Sequence, residues 1–519
     1  MKKFLLFIAL LATSLTGVAQ EKSLRDIVSE HRLDNGMRFL MVQRPGAPMI
    51  SAGWVAHVGA ANERPGITGI SHLFEHMMFK GSHTIGVKDA ALDDQFRAAL
   101  DSLREQMFVL ERDHRLKVRT GQAESMSDSS LDSNEMKALR EQFENIIEQQ
   151  RANIIKDQFD QIYTEQGSTG MNAFTNADMT VYFLRVPKNK LELWFWMESD
   201  RLSDPVFREF YSERDVVYEE RRMRTESTPT GVQNEVYNSL LWRGHPYGWP
   251  VVGWPSDISA ITREQAENYF DIYYAPNNLT AVLVGDFDEV QALQWARQYF
   301  GPIPRGKQVP PDVVTLFMPL KGGFEYHAEV DAPPSVTLSF HTTAYGGVDH
   351  PALMVLANVL NGKTGRLYKR LVLGDQIATS ASAAENSRKY DGLFELSASG
   401  KSDTAPQTLK TVLLEEIGKI QQDGISAYEL EKVRNNLIAN NFRRLEDNFF
   451  LAIQLLYYDG LRDWSSMETL FERVTTVSRE DVQRVARKYL LADNMGARLY
   501  TRKIGNAPEA PAVADLITQ

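Results

Sequence analysis

Cysteine is missing from all 519 residues. No disulfide can form, so stability has to come from packing, and no lipid-attachment cysteine is present either. Long apolar runs are also missing. The one unbroken run, Phe4 to Ala12, is too short to span about 30 Å of hydrocarbon, and no later stretch approaches a membrane-spanning length. A basic excess is missing as well. Lys and Arg number 57 against 68 Asp and Glu, for a formal charge of −11, and the signs are interleaved. That gives no electrostatic footprint for nucleic acid, and the net charge mainly favours solubility.

What is present reads as globular. The chain is 43% hydrophobic and 24% charged, and its length allows two to four domains with sizeable cores. Residues 1–19 have the pattern of a secretory signal peptide. Lys2 and Lys3 precede the apolar run, and Gly17-Val18-Ala19 offers small residues before a cut near Ala19/Gln20. The expectation is a soluble, exported protein, periplasmic or extracellular, with no membrane span after cleavage.

The sequence repeats itself. Thr262-Arg-Glu-Gln opens a helical pattern ending in Tyr273, followed by the strand-like Asn277–Leu283. Ser478-Arg-Glu-Asp opens another ending in Tyr489, followed by Asp493–Leu499. Each starts on a Ser/Thr N-cap, and Thr262 with Gln265 forms a capping box. The offset, 478 minus 262, is 216. Strand-like Ser51–Ala60 matches Ser335–Ala344 at an offset of 284 (335 minus 51), each preceding a helix-like run. The first half is then the longer one, by 284 minus 216, which is 68.

The surplus lies at about 88–166. Leu92, Phe96, Leu100, Leu103, Met107 and Leu110 step by three and four, as do Leu139, Phe143, Ile146, Ile147, Ile154 and Ile155. Between them Gln122–Ser133 is rich in Ser and Asp. The reading is an inserted helical hairpin, either a solvated elaboration or a lid or docking arm. A proline-rich linker at 301–323 separates a first half at 28–300 from a second at 324–503. Arg38–Val42 and Ser51–Val58 read as strands paired around Gly46-Ala47-Pro48. Ala281–Val284 reads as a short strand closed by Gly285. Strands followed by long helices suggest an α+β sandwich used twice.

The chemistry concentrates in His72-Leu73-Phe74-Glu75-His76. Ser71–Phe79 reads as helix with Gly81 as its C′ residue. Positions four apart share a helix face, so His72 and His76 can reach one metal ion, with Glu75 beside it. A hydrolytic zinc site needs neutral imidazole and carboxylate ligands, an open position for water, and a carboxylate that is not a ligand to move the proton. A third protein ligand is still required. A helix starting at Asp204-Pro205 carries Glu213 and Glu220, seven apart on one face, with Glu219 turned about 100° away. Such a pair is usually a solvated surface; next to two histidines it can supply a ligand and an orienting group.

Those residues, with Gly170-Met171-Asn172-Ala173-Phe174-Thr175, Thr180, Tyr182, His245-Pro246-Tyr247-Gly248 and Tyr274-Ala275-Pro276-Asn277-Asn278, resemble the pitrilysin family of zinc metallopeptidases, peptidase family M16. The resemblance covers roughly residues 28–500. It implies two homologous α/β sandwich halves (mitochondrial-processing-peptidase/LuxS-like) facing across a cavity, the second without catalytic residues. It assigns His72, His76 and Glu220 as ligands of one Zn2+, Glu75 as general base and Glu213 as the orienting carboxylate. Asn172 and Ala173 become substrate-backbone contacts. The step from His76 to Glu220, 220 minus 76, is 144; taking away the surplus of 68 leaves 76, close to the family's spacing. The resemblance implies an endopeptidase for peptides or unfolded segments bound in extended form. One departure stands out. Many members carry an Arg and a Tyr in the second half that reach the substrate, and Val372 and Thr379 stand at about those positions. That opens two rival readings: a zinc-bearing subunit active only with a sister subunit, and an inactive peptide-binding scaffold. Homodimers and heterodimers with a related subunit are both open.

Overall fold

The structure is a computed structural model that describes residues 23–503 except 125, 127–129, 131, 402 and 403, with the side chains of 441, 442 and 444 also outside it. The signal peptide expected at 1–19 lies outside the described residues. Two sheets carry the fold. The first holds β1 (Ser29–Arg32), β2 (Arg38–Gln43), β3 (Met49–Ala56), β4 (Thr169–Thr175), β5 (Thr180–Pro187) and β6 (Leu279–Gly285), in the order β1-β2-β6-β3-β5-β4. The second holds β7 (Phe324–Val330), β8 (Ser335–His341), β9 (Ala378–Ser387), β10 (Gly392–Gly400) and β11 (Met495–Arg502), in the order β7-β11-β8-β10-β9.

Leaving out the edge strand β1, the two orders superpose strand for strand. Each sheet has one parallel pair, β2 with β6 and β7 with β11, among antiparallel neighbours. Both sequence offsets recur in the register. Ala56 lies opposite Leu279. Phe340, the counterpart of Ala56 at the larger offset, lies opposite Met495, the counterpart of Leu279 at the smaller one. The helices Arg263–Tyr273 and Arg479–Tyr489 both open on the expected N-caps; Thr262 forms its expected capping box, and Ser478 forms one as well, with Asp481. The chain is thus an α+β protein of two homologous halves.

The expected pairing of β2 with β3 does not occur. β6 inserts between them, parallel to β2 and antiparallel to β3. Every residue of β6 is buried. A strand covered on both faces belongs in the middle of a sheet, whatever the short loop joining its neighbours suggests.

For the elements that position the site we number the helices α1 (Ile70–Met77), α2 (Ala90–Arg119), α3 (Asn134–Asn153), α4 (Gln158–Glu165), α5 (Leu191–Ser203), α6 (Phe210–Arg221), α7 (Gly231–Trp242) and α8 (Asn448–Leu461). Helices α1, α5 and α6 cover one face of the first sheet in a shared core. The hairpin α2–α3 closes on its own small core of Leu103, Met107, Met136 and Leu139. Its second helix stops at Asn153, just before the apolar pattern ends. There Ile154 forms a bridge with Val87, and Lys88 N–H donates to the Asn153 carbonyl at 2.9 Å. Residues 301–323 form neither helix nor strand.

The halves exchange helices. α8, from the second half, covers the far face of the first sheet, where Leu451, Leu455 and Leu456 pack among Leu40, Val55, Val181 and Val282. α7, from the first half, lies on the second sheet. Its Tyr237 hydroxyl donates to the Gly496 carbonyl at 2.9 Å, and Asn234 accepts from Arg498 at 2.6 Å and Tyr500 at 2.8 Å. At the first contact sits Asp459 of α8, with no solvent exposure. Its Oδ1 accepts from Arg38 at 2.9 Å, and its Oδ2 lies 3.2 Å from His57 Nε2. Burial acts to raise this carboxyl, but His57 and Arg38 outweigh it and hold it below its ordinary value. At the second contact His341 stacks on Phe317 with ring centres 3.6 Å apart, its Nε2 3.1 Å from the Leu241 carbonyl.

Removing one partner of a buried ion pair strands the other. Asp459→Ala should therefore cost about 3 kcal/mol, read as a lower urea midpoint; an unchanged midpoint would show that the contact adds nothing to the union of the halves. His341 gives a pH dependence. Burial pushes its pKa down to about 4. The unfolded chain, near its ordinary 6.5, then binds more protons than the folded one between those values, so stability falls as pH drops from about 6.5 to 4. Melting temperature against pH should show this slope, and His341→Gln should flatten it.

Candidate metal centre

α1 is held from its first turn. The Glu63 carboxylate accepts from Gly69 N–H and Ser71 N–H, both at 2.8 Å, satisfying amides that the helix itself leaves open. Gly69 has φ +92°, and a Cβ there would meet the Val252 carbonyl oxygen at 2.5 Å, so only glycine fits this entry to the helix. Ile70, Leu73, Phe74 and Met77 face the core. The helix ends at Met77, earlier than expected. Gly81 is not its C′ residue; at φ +83° it sits in the following turn, which Ser82 N–H closes on the Ile85 carbonyl.

α6 begins at Phe210 rather than at Asp204-Pro205. Asp204 instead ends α5, and its carboxylate accepts from His83 N–H. Glu213 and Glu220 nevertheless share the face turned to α1. His76 lies between them, its Nδ1 2.8 Å from Glu213 Oε1 and its Nε2 3.2 Å from Glu220 Oε2. His72 Nε2 lies 3.6 Å from the same Glu220 oxygen. One donor atom each from His72, His76 and Glu220 falls within a 4.8 Å cluster, the group among the described residues that could hold a metal ion. Ligand atoms about 2.1 Å from a tetrahedral ion lie about 3.4 Å from one another. The separations of 3.2 and 3.6 Å bracket that value, so the residues fit such an ion.

The electrostatics suit it too. Burial, with His76 and Arg224 nearby, pushes His72 down to about 3, so its imidazole is neutral and can give a lone pair. Burial acts to lower His76, and the Glu213 hydrogen bond, with Glu220 and Glu75, outweighs it and raises it. Burial raises the Glu75 carboxyl, against a hydrogen bond from Thr175. Glu213 is held below its ordinary value by His76 and by Lys80, whose Nζ is 2.5 Å away, although its burial acts the other way. Arg224 pairs with the second oxygen of Glu220 at 2.7 Å. Glu219 points elsewhere and pairs with Arg222.

Glu75 and His76 open onto a cleft of about 610 Å³. Asn172 and Ala173 line it from β4, the last strand of its sheet, and Asn172 Oδ1 accepts from Ala173 N–H. The cleft lining comes from the first half alone. Val372 packs at the rim of the second core, and the Thr379 hydroxyl donates to the Ser399 carbonyl, so neither lines the cleft. The roles of Glu63, Lys80 and Arg224, and the place of 151–159 in the cleft wall, went unread in the sequence. Only Lys80 left a local sign there, four residues beyond His76 on the motif's own face.

Comparisons with known proteins bear on the fold and the family. The family model for insulinase (peptidase family M16) matches residues 38–94, and the model for the peptidase M16 inactive domain matches 260–437. The chain is similar to zinc protease PqqE of Helicobacter pylori, at 25% identity over 65% of this chain and 77% of that protein. It is also similar to the zinc protease YmxG of Bacillus subtilis, at 22% over 81% and 85%. Among solved structures, a protease from Helicobacter pylori superposes with a TM-score of 0.73 at 21% identity, covering 91% of this chain and 99% of that one. The first half of the periplasmic protease PqqL from Escherichia coli superposes at 0.65 and 16%, covering 92% of each. The two family models and the superposed structures agree that the chain has the two-half fold of peptidase family M16 and resembles that family in sequence.

Proposed function

We propose that the chain is a zinc-dependent endopeptidase, with one Zn2+ held by His72, His76 and Glu220. The observation that carries this reading is the ion-sized spacing of those three donors beside a carboxylate outside the cluster, Glu75, at the mouth of a cleft. The names of the similar proteins, zinc proteases, support the same metal.

When bound, the ion supplies a Lewis acid that acidifies water and polarises a carbonyl. The protein's own groups do the rest. Glu213 accepts from His76 Nδ1 and fixes the ring so that Nε2 faces the ligand cluster. Lys80 holds Glu213 in turn. Glu75 takes the proton of the attacking water and hands it to the leaving amine nitrogen; its burial, which raises its pKa, suits it to both tasks. The free edge of β4 supports a peptide bound in extended form. Main-chain pairing there, with Asn172 and Ala173 as contacts, tolerates many side chains and favours unfolded segments over folded proteins.

Export to the periplasm or beyond is part of the proposal and rests on residues 1–19. Among the described residues no helix is long and apolar enough to cross a membrane. One observation favours a partner-dependent version: the cleft lining includes no residue of the second half, where Val372 and Thr379 replace the expected Arg and Tyr. In that version a homodimer or a related subunit completes the site.

The mature chain alone should cleave a mixed quenched-fluorescent peptide library, lose this on chelation and regain it with zinc. Glu75→Gln should lower kcat by about a thousandfold with one zinc still bound, whereas Glu220→Gln should lower zinc affinity itself. Full turnover by zinc-loaded Glu75→Gln would overturn the reading. Zinc binding without cleavage would turn it to the partner-dependent version.

A further inference from the structure

The cleft beside Glu75 has a wall that the active-site motifs do not supply. Arg151, Ile154, Ile155 and Lys156, from the segment that returns from the hairpin, line it together with Phe159 of α4. This wall is fixed in place. Ile154 bridges Val87, Ile155 N–H donates to the Gly86 carbonyl at 3.0 Å, and the Asn153 amide donates to the Asp89 carbonyl at 2.7 Å. Asp157 turns the chain at φ +55° into α4, which packs against β4. The insertion therefore closes at its base beside the strand edge proposed to take the peptide.

The charges on this wall are unbalanced. Arg151 and Lys156 are exposed to the cleft and make no ion pair among the described residues. Asp157, next to Lys156, is the one carboxylate of this wall, so the wall carries a net positive charge. The acids of the cleft floor have partners of their own: Glu213 holds His76 and Lys80, Glu209 lies 3.6 Å from the same Lys80, and Thr175 hydrogen-bonds Glu75. Half-buried Ile154 and Ile155 give the same wall an apolar surface under the two cations.

We propose that the returning segment of the hairpin, through Arg151 and Lys156, forms a subsite that selects peptides with an acidic residue flanking the scissile bond. The inference rests on the peptidase reading of the site. The insertion then acts in substrate choice, with a carboxylate of the peptide as the missing partner of two cations. The attraction is between groups open to water, so it weakens with salt.

The test uses the full mature chain, zinc-loaded, and peptides identical except for Asp, Ala or Lys at one position at a time around the cleaved bond. Wild type should show kcat/KM at least tenfold higher for Asp than for Lys at one flanking position, with the ratio shrinking as salt rises. The double variant Arg151→Glu with Lys156→Glu should invert that ratio, and the milder Arg151→Gln with Lys156→Gln should bring it near one. A parallel measurement follows binding of the same fluorescein-labelled peptides to zinc-loaded Glu75→Gln, with and without the charge reversal. Cleavage without acidic preference, or a preference that survives the reversal, overturns the subsite and leaves the peptidase reading intact. Acid-selective binding that the reversal abolishes, with no cleavage by wild type, keeps the subsite and overturns the reading of the chain as a peptidase active on its own. Neither cleavage nor selective binding overturns both.

Discussion

The imidazole of His76 is held on both nitrogens by one neighbouring helix, with Glu213 at 2.8 Å and Glu220 at 3.2 Å. Two contacts seven residues apart on α6 fix how far α1 is slid along it and how it is rotated. A slip of one turn on either helix would break the simultaneous contact of both carboxylates with the ring. The sequence between these partners contains a hairpin of two long helices, yet the register survives. It survives because the hairpin closes on itself at the Lys88–Asn153 contact and hands the chain back where it left. Lengthening a loop whose ends already meet adds little closure entropy, so such an insertion leaves the helices it separates in place.

The same logic runs through the second half. Its helix α8 completes the first sheet from behind, as α7 completes the second. Each sheet is a two-sided surface with only one face covered by its own half, so neither half can bury its strands alone. The internal repeat is therefore a pair of incomplete cores, each finished by the other. A half that lends nothing to the cleft lining thus still covers one face of the sheet that carries the site.

What the sequence made legible followed local rules. The i,i+4 histidines, the seven-residue glutamate spacing and the N-caps at Thr262 and Ser478 are all set within two turns of chain, and each appears in place. The two repeat offsets were legible because equal folds place like residues at like positions. Long-range competition misled the rest. β2 and β3 read as a hairpin from their short loop, but buried β6, from the far end of the same half, takes the place between them. Asp204-Pro205 has the composition of a helix start, yet its carboxylate is engaged by His83 at the end of α5. Apolar Ile154 and Ile155 continue a helical period, but the bridge to Val87 draws them out of the helix and into the cleft wall. Glu63 left no local sign, since its role appears only once α1 is built above it.

A contiguous set of contacts joins the interface of the halves to the motif helix. Asp459 of α8 touches His57, one residue past the end of β3. The chain then runs through Gly59, whose Cβ-free backbone passes against Asn176 and Ala177, while Ala60 and Ala61 N–H donate to the carbonyls of those two residues. Shortly after, Glu63 caps α1. From a buried charge on the second half to the first amides of the motif helix the path runs through a strand end, a short turn hydrogen-bonded to Asn176 and Ala177, and a cap. The second half, without a side chain in the cleft lining, is thus joined by contiguous contacts to the backbone that starts the motif helix.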